Sequence, residues 1–446
     1  MWQNYEYRQL QMSERILTSN EYKRLGERIR SNPLNISEDD YLALQELRLT
    51  YKEPLAIVFK AVERAAHKVD PNCICTYRIK RIESIVSKLI RFPHMQVNKA
   101  EDIAGCRCIM TDTENVYKLF DKLQKIMDRL SFEITGVVHD YIEKPKDSGY
   151  RSIHLNVRLK GDKRVIEIQL RALEHHNWAT LVEITDLLFR TKLKELGTKS
   201  DADLFEFHRL LSLPEHNLSK KDKYFIADTI IKYNYIEKIG EVFARNYLDV
   251  RRHWNKMRLQ RNHFFLISTG SDGIPDFMGF NVFEDAERAY FEKFVNNDGN
   301  RNIVLTHLQQ ASFTKISVAY SNYFLTFNNT IMKVLVYLSD AVTNSYHQNK
   351  VSSFCRYYQC FLDMIAFWIE EQQLEMTSYN KDNIARNSRL LRTEWTNSIN
   401  SGISALNYIM WNMHKRLSFN LLHIVPYYRM KQIQKQFKRK YGHANH

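Results

Sequence analysis

The segment between residues 78 and 183 gathers the side chains with most chemistry to offer. Arg78 and Lys80 stand two apart in an extended lead-in, ahead of Ser84 and Lys88, which are one helical turn apart. Each spacing puts its pair on one face, so two cations, a hydroxyl and a further cation can together cradle a triphosphate. Taken alone, a lysine-bearing helix is more often just solvated. Next comes Glu101-Asp102-Ile103-Ala104-Gly105-Cys106-Arg107. Asp102 precedes a strand, where a carboxylate can reach a cation, and Gly105 permits close backbone approach.

A hairpin carries the second half of the constellation. Ser152 to Leu159 and Val165 to Arg171 alternate apolar and polar residues around a tight Lys160-Gly161-Asp162-Lys163 turn. Ile153, Leu155, Val157 and Leu159 point one way on the first strand, and Ile166, Ile168 and Leu170 on the second. That leaves Ser152, His154, Asn156 and Arg158 beside Glu167, Gln169 and Arg171 on the opposite face. A turn centred on Gly161-Asp162 sets Asn156 opposite Glu167 and His154 opposite Gln169, a register that keeps both polar rows together. Any half-exposed antiparallel sheet has a polar outer face, but a histidine, a carboxylate, an amide and an arginine converging suggests more. Asp102 and Glu167 are then the natural oxygen ligands for Mg2+, a hard ion held by one or two carboxylates plus phosphate oxygens. Between the halves, Asp140-Tyr141-Ile142 and Pro145-Lys146 lead to Gly149-Tyr150-Arg151-Ser152, a basic turn with an aromatic able to stack on a base.

The elements that must position these residues follow from periodicity. Helical patterns fill residues 1 to about 72, with Ser37 and Asp40 as N-cap and first-turn acid of one helix. From about 73 to 190 helices alternate with short strands, at Gly105 to Met110, Ile134 to Tyr141, and the two hairpin strands. Glu114 to Leu130 is an amphipathic helix with Val116, Leu119, Phe120, Leu123, Ile126 and Met127 on one side, and another helix runs from about His175 to Leu188. Residues 200 to 255 read as helical. Phe264 to Ser268 and Ile303 to His307 read as strands around a helix at Phe283 to Phe294, a small α/β unit. Residues 325 to 446 return to helices, and Phe354, Tyr358, Phe361, Ile365 and Trp368 form a core-facing stripe. The expected class is α+β, a mixed β-sheet flanked by helices with a mostly helical C-terminal half. Expected divisions are 1–75, 76–190, 191–324 and 325–446.

Composition bounds the rest. At 446 residues, with 44% hydrophobic residues and 12% aromatics, the chain suits several folded domains, and 8 prolines and 13 glycines suit a helix-rich one. No basic segment followed by an apolar run opens the sequence, and stretches such as Ile331 to Leu338 contain a lysine and are too short to span a bilayer. The expectation is a soluble, cytoplasmic protein without a transmembrane segment. Six cysteines suit reduced thiols, and neither Cys73/Cys75 nor Cys106/Cys108 has the C-x2-C spacing of a zinc site, so small buried cysteines on strands are expected. The net charge of +14 is uneven. After Glu394 no acidic residue remains, while Lys415, Arg416, Arg429, Lys431, Lys435, Lys438, Arg439 and Lys440 are all basic. Such a stretch attracts polyanions such as RNA, or merely solubilises.

The ordered set R-x-K-x3-S-x3-K, D-I-x-G-x-R, D-Y-I-x2-P-K-x2-G-Y-x-S-x-H and E-I-Q-x-R-x4-H-x-W-A resembles the synthetase domain of the RelA/SpoT alarmone family. The clear match covers about 76 to 185, with a looser similarity from about 40 to 325 to long single-synthetase members. The resemblance implies a nucleotidyltransferase-like synthetase fold and transfer of the β,γ-diphosphate of ATP to a 3′-hydroxyl of GDP or GTP. It implies that Arg78 and Arg107 sandwich adenine, with Lys80, Ser84 and Lys88 on the phosphates. Asp102 and Glu167 would hold Mg2+, and Glu167 would take the hydroxyl proton. Tyr150 would stack on the acceptor base, with Lys146, His154, Gln169 and Arg171 on acceptor phosphate, ribose or the migrating diphosphate.

Two departures bear on the acceptor. Ala172 stands where the family usually has threonine, and Val182-Glu183 where many members read E-H. One alternative is therefore a toxin or phage-defence enzyme that modifies the 3′ end of tRNA, gripping it through the basic C-terminal region. A second is a catalytically silent RNA-binding or sensing protein, disfavoured because Arg78, Asp102 and Glu167 are all present. His139-Asp140 does not make a metal hydrolase, because Asp140 belongs to the D-Y-I motif.

Overall fold

A computed structural model describes residues 17–127, 132–239, 254, 262–269, 275–295, 303–308, 315–316, 318, 329–381 and 389–441, with no side chain described between 370 and 399. The chain divides into two compact units. The first unit supplies α1 (Ser19–Ser31), α2 (Glu38–Leu49), α3 (Lys52–Val69), β1 (Ile74–Ile79), α4 (Ile82–Arg91), β2 (Ala104–Met110), α5 (Thr113–Met127), β3 (Phe132–Asp140), β4 (Ile153–Leu159) and β5 (Ile166–Ala172). Then come α6 (Leu173–Phe189), α7 (Ala202–Leu211) and α8 (Lys220–Lys232) of the second unit. The first unit resumes with β6 (Phe264–Thr269), β7 (Pro275–Phe280), α9 (Phe283–Val295) and β8 (Ile303–His307). The second closes with α10 (Asn329–His347), α11 (Val351–Lys381), α12 (Arg389–Arg416) and α13 (Ile424–Tyr441).

The first unit is built on one mixed eight-stranded sheet in the order β3-β4-β5-β2-β1-β8-β6-β7. Only β2 and β5 run parallel; every other neighbour pair is antiparallel. The α5-β3-β4 stretch of chain between β2 and β5 supplies the crossover that parallel neighbours need. On one face Cys75, Tyr77, Cys106, Cys108, Ile153, Leu155, Val157, Ile166, Ile168 and Leu170 join the core with Leu55, Val58, Phe59 and Val62 of α3 and Val116, Leu119 and Leu123 of α5. The period-two alternation of each strand leaves its polar residues on the other face.

Local signals place these elements as expected in several cases. Ser37 Oγ accepts from the Asp40 N–H at the start of α2, the expected cap; a Thr18–Glu21 capping box on α1, which the sequence pattern had not singled out, adds to it. The hairpin register is the expected one, Asn156 opposite Glu167 and His154 opposite Gln169. Phe354, Tyr358, Phe361, Ile365 and Trp368 lie in the core of the second unit, whose described elements are helical.

Two features differ from the sequence expectation. The small α/β unit at 264–307 is not separate from residues 76–190. Its strand β8 pairs with β1, Cys75 opposite His307 and Tyr77 opposite Leu305, so the sheet runs through both segments. It also contains a strand the pattern hides: β7 starts at Pro275 and includes Gly279, both poor strand residues, and its place at the sheet edge tolerates them. The second difference is that Lys144–Arg151, between β3 and β4, groups with the second unit. The expected helix continuation past Met127, the stretch 240–255 apart from Trp254, and the side chain of Lys440 lie outside the described residues.

Candidate active site on the polar face of the sheet

Four adjacent strands bring Arg78, Arg107, His154, Glu167 and Gln169, all predicted site residues, into two rows. Arg78 of β1 lies opposite Gly105 of β2, Gly105 beside Glu167 of β5, and Glu167 opposite Asn156 of β4. One pleat along, Thr76, Arg107, Gln169 and His154 form a parallel row. Arg78 and Arg107 are thus diagonal partners on antiparallel strands, about 7–8 Å apart at the backbone. That is the span a planar base needs between two guanidinium planes, at about 3.5 Å contact on each side.

The rows depend on a close strand approach at Gly105. A Cβ added there would meet the Glu167 carbonyl oxygen at 2.6 Å. Glycine is therefore required by the β2–β5 spacing itself, and that spacing sets where Glu167 stands.

Glu167 is held from two sides. His154 Nδ1 hydrogen-bonds Oε1 at 2.8 Å, and Gln169 Nε2 donates to Oε2 at 2.8 Å. Gln169 Oε1 in turn accepts from Arg107 Nε at 3.1 Å and from Arg171 at 3.3 Å. Burial works to raise the Glu167 pKa, as does the charge of nearby Asp102, but the His154 and Gln169 hydrogen bonds and the His154 charge outweigh both and hold it below its ordinary value.

Asp102 occupies the loop before β2, and Lys80 comes to it because the Lys80 N–H donates to the Ile103 carbonyl at 2.7 Å. Lys80 Nζ lies 2.5 Å from Oδ2, and Lys88 Nζ, from α4, 2.7 Å from Oδ1. Burial pushes the Asp102 pKa up, and the two ammonium groups more than reverse it. The Lys80 pKa is lowered, by burial first, with the charges of Lys88 and Arg78 adding to it and Asp102 opposing. Ser84 lies on α4 one turn before Lys88, both partly exposed. Two carboxylates near enough for one charge to disfavour the other, offering only oxygen donors, fit a hard divalent cation such as Mg2+.

Sequence reading missed the groups that fix the backbone at 79–80. The Ile79 N–H donates to Tyr290 Oη of α9 at 3.0 Å, and the Lys80 carbonyl accepts from Arg48 Nε of α2 at 2.8 Å. Arg48 is 2% exposed, and burial pushes its pKa down to about 10. At neutral pH it is a charged side chain satisfied by Lys80 and Gln45. Nothing local marks either residue: Arg48 reads as a solvated helix cation and Tyr290 as one of 25 tyrosines.

Lys146 and Tyr150 belong to the second unit, where they are brought to each other. Lys146 Nζ sits 5.3 Å over the Tyr150 ring, and its N–H donates to the Tyr150 carbonyl at 3.3 Å. Gly149, at φ +89°, has no room for a Cβ against the Ser212 side chain. Also in this unit, Trp178 Nε1 donates to the His208 carbonyl at 2.7 Å, Val182 is core, and Glu183 pairs with Lys194. Asp140 accepts from the Ile142 and Glu143 N–H groups at 2.9 and 3.0 Å, a turn role rather than a metal role. Among the described residues no cluster of potential metal ligands includes His139 or Asp140. No helix among them is long and apolar enough to cross a membrane.

Known proteins share this arrangement of sequence. The RelA_SpoT family model, described as a region found in RelA / SpoT proteins, matches residues 77–189. The GTP pyrophosphokinase YjbM of Bacillus subtilis is 35% identical over 116 residues, 24% of this chain and 52% of that protein. The GTP pyrophosphokinase YwaC of the same organism is 34% identical over 116 residues, 23% of this chain and 53% of its own length. The chain thus spans about half the length of these two curated relatives. Among solved structures, Bacillus subtilis small alarmone synthetase 1 bound to its product pppGpp is 27% identical, covering 31% of this chain and 70% of that one at a TM-score of 0.26. Residues 77–189 are therefore a domain of the RelA/SpoT family.

Proposed function

We propose that the chain is a pyrophosphokinase that transfers the β,γ-diphosphate of ATP to the 3′-hydroxyl of GDP or GTP and releases AMP. The observation that carries this reading is the Glu167 carboxylate, fixed by His154 and Gln169 on a sheet face that also bears Arg78 and Arg107. Arg78 and Arg107 take the adenine, and Lys80, Ser84 and Lys88 bind phosphate oxygens. Glu167 accepts the proton from the attacking hydroxyl, so that the oxygen reaches the β-phosphorus as a nucleophile. Gln169 and Arg171 hold charge developing on the migrating diphosphate. Mg2+, held by Asp102 and Glu167, would supply charge neutralisation on the phosphates. The two named relatives, both GTP pyrophosphokinases, support the guanine acceptor.

A second acceptor is favoured by one observation, the run of exposed cations on α13, where Arg429, Lys431, Lys435, Lys438 and Arg439 have no acidic neighbour on the helix. RNA is the polyanion such a surface suits. Offering ATP labelled at the γ-phosphate together with GDP, GTP or deacylated tRNA separates the two. Label on GDP or GTP supports the first reading; label on tRNA replaces it with the second.

Two substitutions probe the assignment. Tyr150→Ala is expected to raise the acceptor KM while leaving ATP affinity roughly intact, measured by steady-state kinetics beside nucleotide binding; a collapse of ATP affinity instead would put Tyr150 on the donor side. Arg48→Met leaves the Lys80 carbonyl without its guanidinium partner, so a stability loss of about 1–3 kcal/mol is expected by denaturant unfolding. The ATP KM should rise with a smaller change in kcat. Destabilisation with an unchanged ATP KM would reduce Arg48 to a packing residue.

A further inference from the structure

Away from the polar face, on the helix-covered side of the sheet, three side chains with metal-binding chemistry converge. Glu63 and His67 lie one turn apart on α3, and His307 ends β8 opposite Cys75. His307 Nδ1 is 2.7 Å from Glu63 Oε1 and 2.9 Å from His67 Nε2, and His67 Nε2 is 3.4 Å from Glu63 Oε1. A tetrahedral ion bound at about 2.0–2.2 Å needs donor-to-donor edges of about 3.3 Å. Side-chain shifts of a few tenths of an ångström open this triangle to that size. The donors reach solvent to a limited degree, with 4%, 12% and 15% of the His67, His307 and Glu63 side chains exposed, which leaves a route for an ion and a water.

We propose that Glu63, His67 and His307 form a binding site for a divalent transition-metal ion of the zinc class, with water in the fourth position. Two imidazoles and one carboxylate are a zinc-type donor set, whereas Mg2+ and Ca2+ prefer oxygen alone. Cys73 has a supporting place. Its Sγ lies 3.3 Å from His67 Nδ1, the ring nitrogen turned away from the triangle, where a ligand histidine ordinarily finds an outer partner that fixes its tautomer. The rival set of His67, Cys73 and Cys75 uses that opposite nitrogen. It draws on Cys75, which is fully buried with its sulfur 3.6 Å from Cys108, and with Cys73 buried as well it lacks the solvent access that Glu63 and His307 give. The site joins α3 to β8, the strand that fastens residues 264–307 onto β1, whose other end carries Arg78.

The test uses the full chain stripped with a chelator and kept in excess Mg2+, which occupies any oxygen-only site. Calorimetric titration with Zn2+ is expected to give one ion per chain. Affinity should fall at least about tenfold in both His307→Ala and Glu63→Gln, each checked for folding by circular dichroism, and stay nearly constant in Cys75→Ala. Co2+ bound in place of Zn2+ should show ligand-field bands without a sulfur-to-cobalt charge-transfer band. No stoichiometric binding by the folded chain, undiminished affinity in the two ligand variants, or a sulfur charge-transfer band would each overturn the proposal.

Discussion

Glu167→Gln is expected to lower diphosphate transfer by at least about 10²-fold, the usual floor for losing a general base. The substitution conserves shape: the carboxamide oxygen can still accept from Gln169 Nε2 while its NH2 donates to a neutral His154 Nδ1, so the loss reports the carboxylate charge rather than a rearranged sheet. Its pH behaviour follows from the direction of the shift. Burial raises the Glu167 pKa, but His154 and Gln169 outweigh it, so the folded value lies below the ordinary glutamate value of about 4.3. The carboxylate is therefore ionised throughout the neutral range, and its protonation limits the rate only in acid. For stability the sign is the same. A depressed folded pKa contributes stabilisation that is present above the unfolded value and is lost as pH falls through the folded one. Acid unfolding curves of the wild type and Glu167→Gln should accordingly converge as pH falls below about 4. Near-normal turnover of the variant at neutral pH would remove Glu167 from the chemistry.

The second large effect concerns a residue with no side chain. Gly105→Ala places a methyl group 2.6 Å from the Glu167 carbonyl oxygen, inside any normal carbon–oxygen contact. The clash is with backbone in the middle of an eight-stranded sheet, flanked by β1 and β4 on either side of the β2–β5 pair, so no flexible side chain can yield. The strands must part, at about 1–3 kcal/mol by analogy with overpacked cores. Parting them shifts Glu167 and Gln169 against Arg78 and Arg107, and a displacement near 1 Å at a reacting group costs on the order of 10²-fold. Denaturant unfolding and kcat measured on the same preparation check both parts. A stable, fully active Gly105→Ala protein would show that the β2–β5 spacing is not what positions the base.

How much of this was legible beforehand depended on distance along the chain. The β4–β5 hairpin read correctly because its alternation, its short turn and Gly161 at positive φ all lie within twenty residues. The stacking of Phe354 and Tyr358 on α11 read correctly as core because helical spacing is also local. The β1–β8 pairing joins positions more than two hundred residues apart, and no local pattern announces it. That pairing is why the segment 264–307, expected as a unit apart, shares a sheet with the candidate site. Arg48 and Tyr290 were invisible for the same reason, since their role lies in backbone groups at 79–80 far away in sequence. The Glu63–His67–His307 cluster combines a helical i,i+4 pair with a distant strand end, and only the pair is visible locally. The motif residues were legible as a set, but their division between units was not. Tertiary packing assigns Lys144–Arg151 to the second unit, whereas the strands on either side belong to the first.

Transfer of a diphosphate rather than a phosphate shows in the nucleotide that ATP becomes. The purified chain incubated with ATP, Mg2+ and GDP or GTP, its products separated by chromatography, should release AMP in step with a guanosine nucleotide that gains two phosphates at its 3′ position. The Glu167→Gln protein should yield neither above background. ADP as the product would rule out diphosphate transfer, because it requires attack at the γ-phosphorus and loss of a single phosphoryl group.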